Sequence, residues 1–261
     1  YADEVFGLEE DWLLQGMACW GLTDLALNAF RATLLAATHL APGHALQDLR
    51  TCLAPGQAHR LLGLAGLTWQ EGLSQAERAR LADCGHWMSA QRQQTAARIS
   101  QGEPLLAGLL PPRRYGGDLD WVTQAVHTDA IGSASLARLA EHLDSEPWRR
   151  EAAQWRLAVQ AVLRQRDEDG RVRFHSGGGD PGDYHQLMAS GFLAATDFFS
   201  PGDPDWRALR AQLIAEDRMI LGLPRFSTWG GGASIDAHYG VGFLLQALRN
   251  GRRDAFWTGL A

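Results

Sequence analysis

Apolar residues recur at three- and four-residue spacing along almost the whole chain, while the alternating pattern of strands is nearly absent. This periodicity predicts about ten helices in antiparallel succession, and therefore an all-α fold. Ser74 and Glu77 form a capping-box pattern, which predicts a helix from there to about Ser100. The other predicted helices cover residues 9–20, 24–39, 44–53, 57–71, 121–143 with a soft spot at Gly132, 145–166, 184–199, 203–222 and 235–249.

Two helix entrances, "DSEPWRREAAQW" and "GDPDWRALRAQL", share the order Asp, Pro, Trp and Arg. Successive helical hairpins with a weak repeat are typical of a closed ring or a solenoid of helix pairs. We therefore predict one domain over residues 1–261, folded as a ring or partial ring of antiparallel helical hairpins, an (α/α)n toroid.

Three long, glycine-rich connections cover residues 101–120, 167–183 and 223–234. They fall after every second helix, so in a ring of hairpins all three would emerge on the same end. Elaborated loops on a rigid scaffold commonly carry function. The three connections with their flanks combine glycines, aromatic rings and carboxylates, including Asp118, Asp120, Asp183 and Asp236. A turn at 169–170 also predicts a short hairpin in the second connection.

A structural role is the alternative for several of these side chains. Asp118 or Asp120 can cap the helix predicted at 121, and Asp183 can cap the next one. Asp236 and His238 are two residues apart at a helix start, so they point to different faces. Three ionisable residues of the helix predicted over 121–143 are expected at the surface, namely His127, Asp129 and His142.

The net charge of the chain and the absence of several known motifs argue against some classes of function. The formal net charge of −6 argues against a nucleic-acid partner, and no stretch approaches the ~20 apolar residues of a membrane span. No zinc-binding, nucleophile-elbow or P-loop motif is present, so neither a metal nor a cofactor is predicted. The chain opens at Tyr1 without a visible signal peptide, which leaves cytoplasmic and exported locations both open. The oligomeric state is also left open.

The stretch "GLLPPRRYGGDLDWVTQAVHTDAIGSASLARLAEHL" resembles the six-hairpin glycosidases, the (α/α)6 toroids, whose members often carry a "GLLPxxxxGG" loop before a helix that faces the pocket. The stretch "STWGGGASIDAHYGVGFLLQALRNGRRDAF" is similar to their closing helices. The resemblance extends over roughly residues 75–255. About five hairpins are counted instead of six, so either the first hairpins are absent from this sequence or the ring is open or smaller.

The resemblance implies a glycoside hydrolase-like domain that acts on an oligo- or polysaccharide. In the inverting mechanism one carboxylic acid protonates the leaving oxygen and a second carboxylate activates water. The acid would be Asp118 or Asp120, and the base Asp236 or Asp183. The other side chains would bind the carbohydrate. Aromatic rings would stack on its sugar units, namely Tyr115, Trp121, Trp229 and Tyr239. Polar side chains would bind its hydroxyl groups or a uronate, namely Arg113, Arg114 and His238.

Two alternatives stay open. A polysaccharide lyase on the same scaffold would use a Tyr and a His as base and acid, as in the pairs Tyr239–His238 and Tyr184–His185. A non-catalytic helical module that binds carbohydrate or protein is favoured by the short ring. A terpenoid cyclase is disfavoured because the chain has neither a DDxxD nor a DxDD run.

Overall fold

A computed structural model describes residues 17, 20–38, 73–114, 122–124, 126–166, 168, 170–172, 190–191, 193–194, 198–227, 233–235 and 237–260. This part of the chain is mostly helical with few strands, which confirms the predicted all-α character. Within it, no helix combines the length and the apolar character that crossing a membrane requires.

The helices predicted over 9–20, 44–53 and 57–71 lie almost wholly outside the described residues. The described helices overlap predicted ones, except for the last, which was not predicted. They are α1 (Thr23–Thr38), α2 (Gln75–Ser100), α3 (Val126–His142), α4 (Glu146–Leu163), α5 (Pro204–Ala215), α6 (Ala237–Arg249) and α7 (Arg253–Leu260). Residues 190–191 and 193–194 are helical as well, inside the helix predicted over 184–199.

The predicted capping box opens α2. The Ser74 hydroxyl accepts from the Glu77 N–H, and the Glu77 carboxylate accepts from the Ser74 N–H, so two free backbone donors are satisfied at once. Asp203 caps α5 in a similar way, because its carboxylate accepts from the N–H groups of Asp205 and Trp206. Side chains that accept hydrogen bonds from the first backbone N–H groups thus define the start of both helices.

Short strands replace two segments that were predicted as helix or loop. Strands β1 (Arg113–Arg114) and β2 (Val122–Thr123) pair antiparallel. Strands β3 (Met219–Ile220), β4 (Leu223–Ser227) and β5 (Ala233–Ile235) form a three-stranded antiparallel sheet in that order. The helix predicted from residue 121 therefore begins at Val126, and the helix predicted to reach residue 222 ends at Ala215.

The chain divides into two compact units, and the divisions fall next to or within α3 and α4. The first unit comprises Tyr1–Gln124 and Ile131–Trp155. Its core contains the fully buried Trp155, which lies against Gly132 of α3. The predicted soft spot at Gly132 is wrong, because α3 continues through this residue and the glycine instead allows the close approach of the indole ring.

The second unit comprises Ala125–Ala130 and Arg156–Ala261. Its core contains a chain of neighbouring rings, in which Phe198, Phe199, Trp206 and Phe243 have successive centroid distances of 5.2, 5.5 and 5.1 Å. Nearby, the buried Gln246 donates to the carbonyl groups of Ala194 and Phe199, at 3.2 and 3.4 Å. Buried aromatic rings contribute apolar contacts here, while Gln246 satisfies backbone acceptors in the core.

Candidate functional site

The loop with two predicted catalytic carboxylates connects the two strands of a hairpin. Arg113 pairs with Thr123 and Arg114 pairs with Val122, so residues 115–121 form the connection between the strands. Arg113 thus lies in β1, two residues before this loop. Four predicted site residues lie in the loop itself, outside the described residues, namely Tyr115, Asp118, Asp120 and Trp121.

Gln124 fixes the base of this hairpin. Its amide oxygen accepts from the Leu106 N–H at 3.0 Å, and its amide nitrogen donates to the Leu110 carbonyl at 3.1 Å. The side chain is buried, so both hydrogen bonds are shielded from competing water. The segment that leads into β1 is therefore tied to the residue that follows β2.

A second set of contacts holds the approach to the hairpin. Arg92 of α2 donates to the Gly108 carbonyl at 2.9 Å and forms an ion pair with Glu151 of α4 at 3.0 Å. The same guanidinium lies 4.9 Å from the centre of the Trp155 ring. Ser89 donates a 2.7 Å hydrogen bond to the other carboxylate oxygen of Glu151. Two helices thereby position the chain just before the loop.

The pairing of β1 with β2 bears on the alternative that Asp118 or Asp120 caps the following helix. Because α3 begins at Val126, its N-cap position is residue 125, an alanine, and β2 separates that position from Asp118 and Asp120. Neither aspartate occupies the place in the chain from which a side chain caps this helix.

The third predicted loop is also a hairpin connection. Ser227 pairs with Ala233, so residues 228–232 join β4 to β5, and Trp229 belongs to this connection, outside the described residues. Asp236, also outside them, directly precedes α6 and so occupies the chain position of its N-cap. His238 and Tyr239 follow in the first turn of α6.

The second predicted loop is described only at its start. Arg166 and Val172 form an antiparallel bridge, and Gly170 between them has φ 78°. This confirms the predicted reversal of the chain at 169–170, where glycine adopts a left-handed conformation without a steric penalty. Asp183, farther along, lies outside the described residues.

Sequence reasoning missed the burial of two ionisable side chains that follow the first loop in the sequence. The prediction that His127 and Asp129 lie at the surface is wrong, since they are 2% and 1% exposed. Each has at least one interaction partner. Asp129 is in the first turn of α3, where the helix dipole stabilises a negative charge. The available signal was the run of small and apolar residues from 130 to 136, which indicates a helix buried on all sides.

The chemical groups of the predicted site suit binding and acid–base chemistry of a polar substrate. Among the described residues, no group of three or more His, Cys, Asp or Glu side chains could hold a metal ion.

Comparison with protein families, with curated proteins and with solved structures finds no match for this chain.

Proposed function

We propose that this chain is a glycoside hydrolase-like domain with an (α/α)n toroid arrangement, which cleaves an oligo- or polysaccharide with a pair of carboxylates. The observation that supports it best concerns Asp118 and Asp120. Both belong in sequence to the connection between two paired strands, and neither occupies the N-cap position of the helix that follows. A loop that presents two acids between a Tyr and a Trp suits the recognition of a sugar.

Each carboxylate has a distinct task in this proposal. Asp118 or Asp120 is the acid that protonates the leaving glycosidic oxygen, and Asp183 or Asp236 is the base that activates water. Inverting enzymes need about 6.5 to 9.5 Å between the two carboxyl groups, to leave room for the water molecule. Asp236 directly precedes α6 in the chain, and the N-terminus of a helix favours negatively charged groups.

The other predicted residues bind the substrate. Tyr115, Trp121 and Trp229 belong to the two hairpin connections, where their rings can stack on the apolar faces of sugar units. Tyr239 and His238 begin α6, and Arg113 lies in β1 beside the first connection. An arginine two residues before the connection 115–121, called the acid loop below, suits a substrate that carries hydroxyl groups or a uronate.

The proposal is tested by incubating the purified chain with a panel of neutral and uronate-containing polysaccharides. The release of reducing ends and the near-ultraviolet absorbance of unsaturated products are followed in the same samples. Hydrolysis gives new reducing ends without new absorbance. Equal growth of both signals would identify a lyase, and saturable binding with neither signal would identify a binding module; both results would contradict the proposal.

A further inference from the structure

One charged side chain of the first unit contacts a backbone group, a carboxylate and an aromatic ring. Arg92 of α2 is largely buried, with 12% of its side chain exposed. Its Nε donates to the Gly108 carbonyl at 2.9 Å, and its Nη1 donates to the Glu151 carboxylate at 3.0 Å. The guanidinium carbon lies 4.9 Å from the centre of the Trp155 ring. Because the guanidinium is planar and rigid, these contacts together hold it in one orientation.

The carboxylate that faces Arg92 is itself held on both oxygens. Glu151 of α4 accepts from Arg92 with Oε1 and from the Ser89 hydroxyl with Oε2, the latter at 2.7 Å. A largely buried ion pair adds little net stability, because its attraction mainly offsets the loss of hydration. The pair does, however, define where the Gly108 carbonyl lies relative to α2 and α4.

The chain between Gly108 and β1 has few conformations open to it. The two leucines at 109–110 are buried, at 0% and 4% exposed. Pro111 and Pro112 follow and lead directly into Arg113, the first residue of β1. Each proline ring fixes its φ near −65°, so this link is stiff. A restraint on the Gly108 carbonyl therefore also restrains the start of β1.

The same segment is held from the other strand of the hairpin. Gln124 bonds the Leu106 N–H and the Leu110 carbonyl, at 3.0 and 3.1 Å. The Arg92 bond to Gly108 lies between these two along the chain. Gln124 thus joins the segment to the end of β2, and Arg92 joins it to α2 and, through Glu151, to α4.

We propose that Arg92 is a positioning residue of the candidate site, which fixes β1 and its Arg113 through the Gly108 carbonyl and the two prolines. Arg113 binds hydroxyl groups or a uronate in the proposed function, and the consequence for turnover rests on that proposal. Arg92 needs no contact with the substrate for this role. Lysine cannot replace it, because a single terminal nitrogen on a flexible chain lacks the separate N–H groups that Gly108 and Glu151 accept from.

The restraint is tested by native-state amide hydrogen exchange of the whole chain, in wild type and Arg92→Lys. The backbone amides of residues 105–110 and 113–114 should exchange about tenfold faster in the variant, because loss of a charge-assisted hydrogen bond makes local opening easier. The amides of residues 131–142 in α3 should keep their wild-type rates. Unchanged rates at 105–114, or equal acceleration in α3, would overturn the proposal.

Two further variants complete this measurement. Arg78→Lys makes the same change on the same helix, where the Arg78 Nε donates to the Leu73 carbonyl at 3.3 Å, and it should leave residues 105–114 as in the wild type. Glu151→Gln keeps the shape of the side chain but removes the charge that orients Arg92. It should accelerate the same amides to a smaller extent, and it decides the question if Arg92→Lys does not fold. Wild-type rates in Glu151→Gln would then overturn the proposal.

Kinetics separate this inference from the proposed function. With the polysaccharide that the wild type degrades, Arg92→Lys should raise KM about tenfold with little change in kcat, because the displaced Arg113 weakens binding of substrate and transition state alike. Arg78→Lys should keep both constants. An unchanged KM would overturn the positioning role while the proposed function stands. If the wild type degrades no polysaccharide, the proposed function fails, and the exchange rates at 105–114 alone decide whether Arg92 fixes β1.

Discussion

Gly132 of α3 and Trp155 of α4 are in contact through the glycine Cα, where a Cβ atom would lie 2.3 Å from the indole Cη2 atom. Trp155 is fully buried, so the ring is held among neighbouring side chains of the core. We therefore expect Gly132→Ala to destabilise the protein by about 1 to 3 kcal/mol, although alanine is the better helix former. Urea unfolding of both proteins measures the difference.

A double-mutant cycle shows whether the contact with Trp155 causes the loss of stability in Gly132→Ala. Trp155→Phe removes the part of the indole ring that faces Gly132, so Gly132→Ala should cost less in that background than in the wild type. Strictly additive effects of the two substitutions would contradict the contact as the reason for the glycine.

The Gln124 hydrogen bonds predict a second loss of stability. Gln124→Leu keeps the approximate shape of the side chain but leaves the Leu106 N–H and the Leu110 carbonyl without their partner. The expected cost is about 1 to 3 kcal/mol, because a buried backbone group without a hydrogen bond is unfavourable. The matched control is Gln154→Leu at an exposed position of α4. Equal unfolding midpoints for the two variants would argue against the hairpin base described above.

The buried Asp129 predicts a third effect on stability. Asp129→Ala removes a carboxylate that is 1% exposed and leaves its partner unsatisfied, so we expect a loss of about 1 to 3 kcal/mol in the free energy of unfolding. Asp83→Ala at an exposed position of α2 should change it by no more than about 0.5 kcal/mol. Chemical denaturation of the two variants side by side tests this, and similar values would mean that Asp129 is not buried.

The lowered pKa of Glu77 predicts how the free energy of unfolding depends on pH. Burial alone raises the pKa of Glu77, but hydrogen bonds from the Ser74 N–H and the Arg31 guanidinium outweigh it, so the pKa lies below its ordinary value. A lowered pKa in the folded state stabilises the protein above the unfolded pKa of about 4.3, and this stability is lost as the pH falls through the folded value.

The comparison of wild type with Glu77→Gln isolates this contribution. The wild type should be the more stable protein near neutral pH, and the difference should shrink below about pH 4. Glu141→Gln, at an exposed position of α3, should show no such trend. A difference between wild type and Glu77→Gln that is constant over this range would contradict the lowered pKa.

Sequence patterns predict the parts of the fold that depend on local interactions. The capping box at Ser74 places the start of α2, and Asp203 places the start of α5, because each cap is made by neighbours in sequence. These features need no knowledge of distant contacts.

The features that were missed depend on partners far along the chain. Strands of two residues, such as β1 and β2, are too short to show an alternating pattern, so the hairpin around the acid loop was predicted as loop and helix. Gly132 resembles a helix break in sequence, and only its contact with Trp155 explains it. His127 and Asp129 resemble surface residues, and only the packing around α3 buries them.

Comparing turnover with binding for variants of the acid loop tests the proposed function most directly. Asp118→Asn and Asp120→Asn are measured with the polysaccharide that the wild type degrades, by reducing-end release and by equilibrium binding. The variant of the true acid should lose turnover by about a hundredfold or more, the usual range for general acid catalysis, while it still binds the polysaccharide. Asp83→Asn is the control and should match the wild type. Wild-type turnover in both loop variants would contradict the assignment of catalysis to this loop.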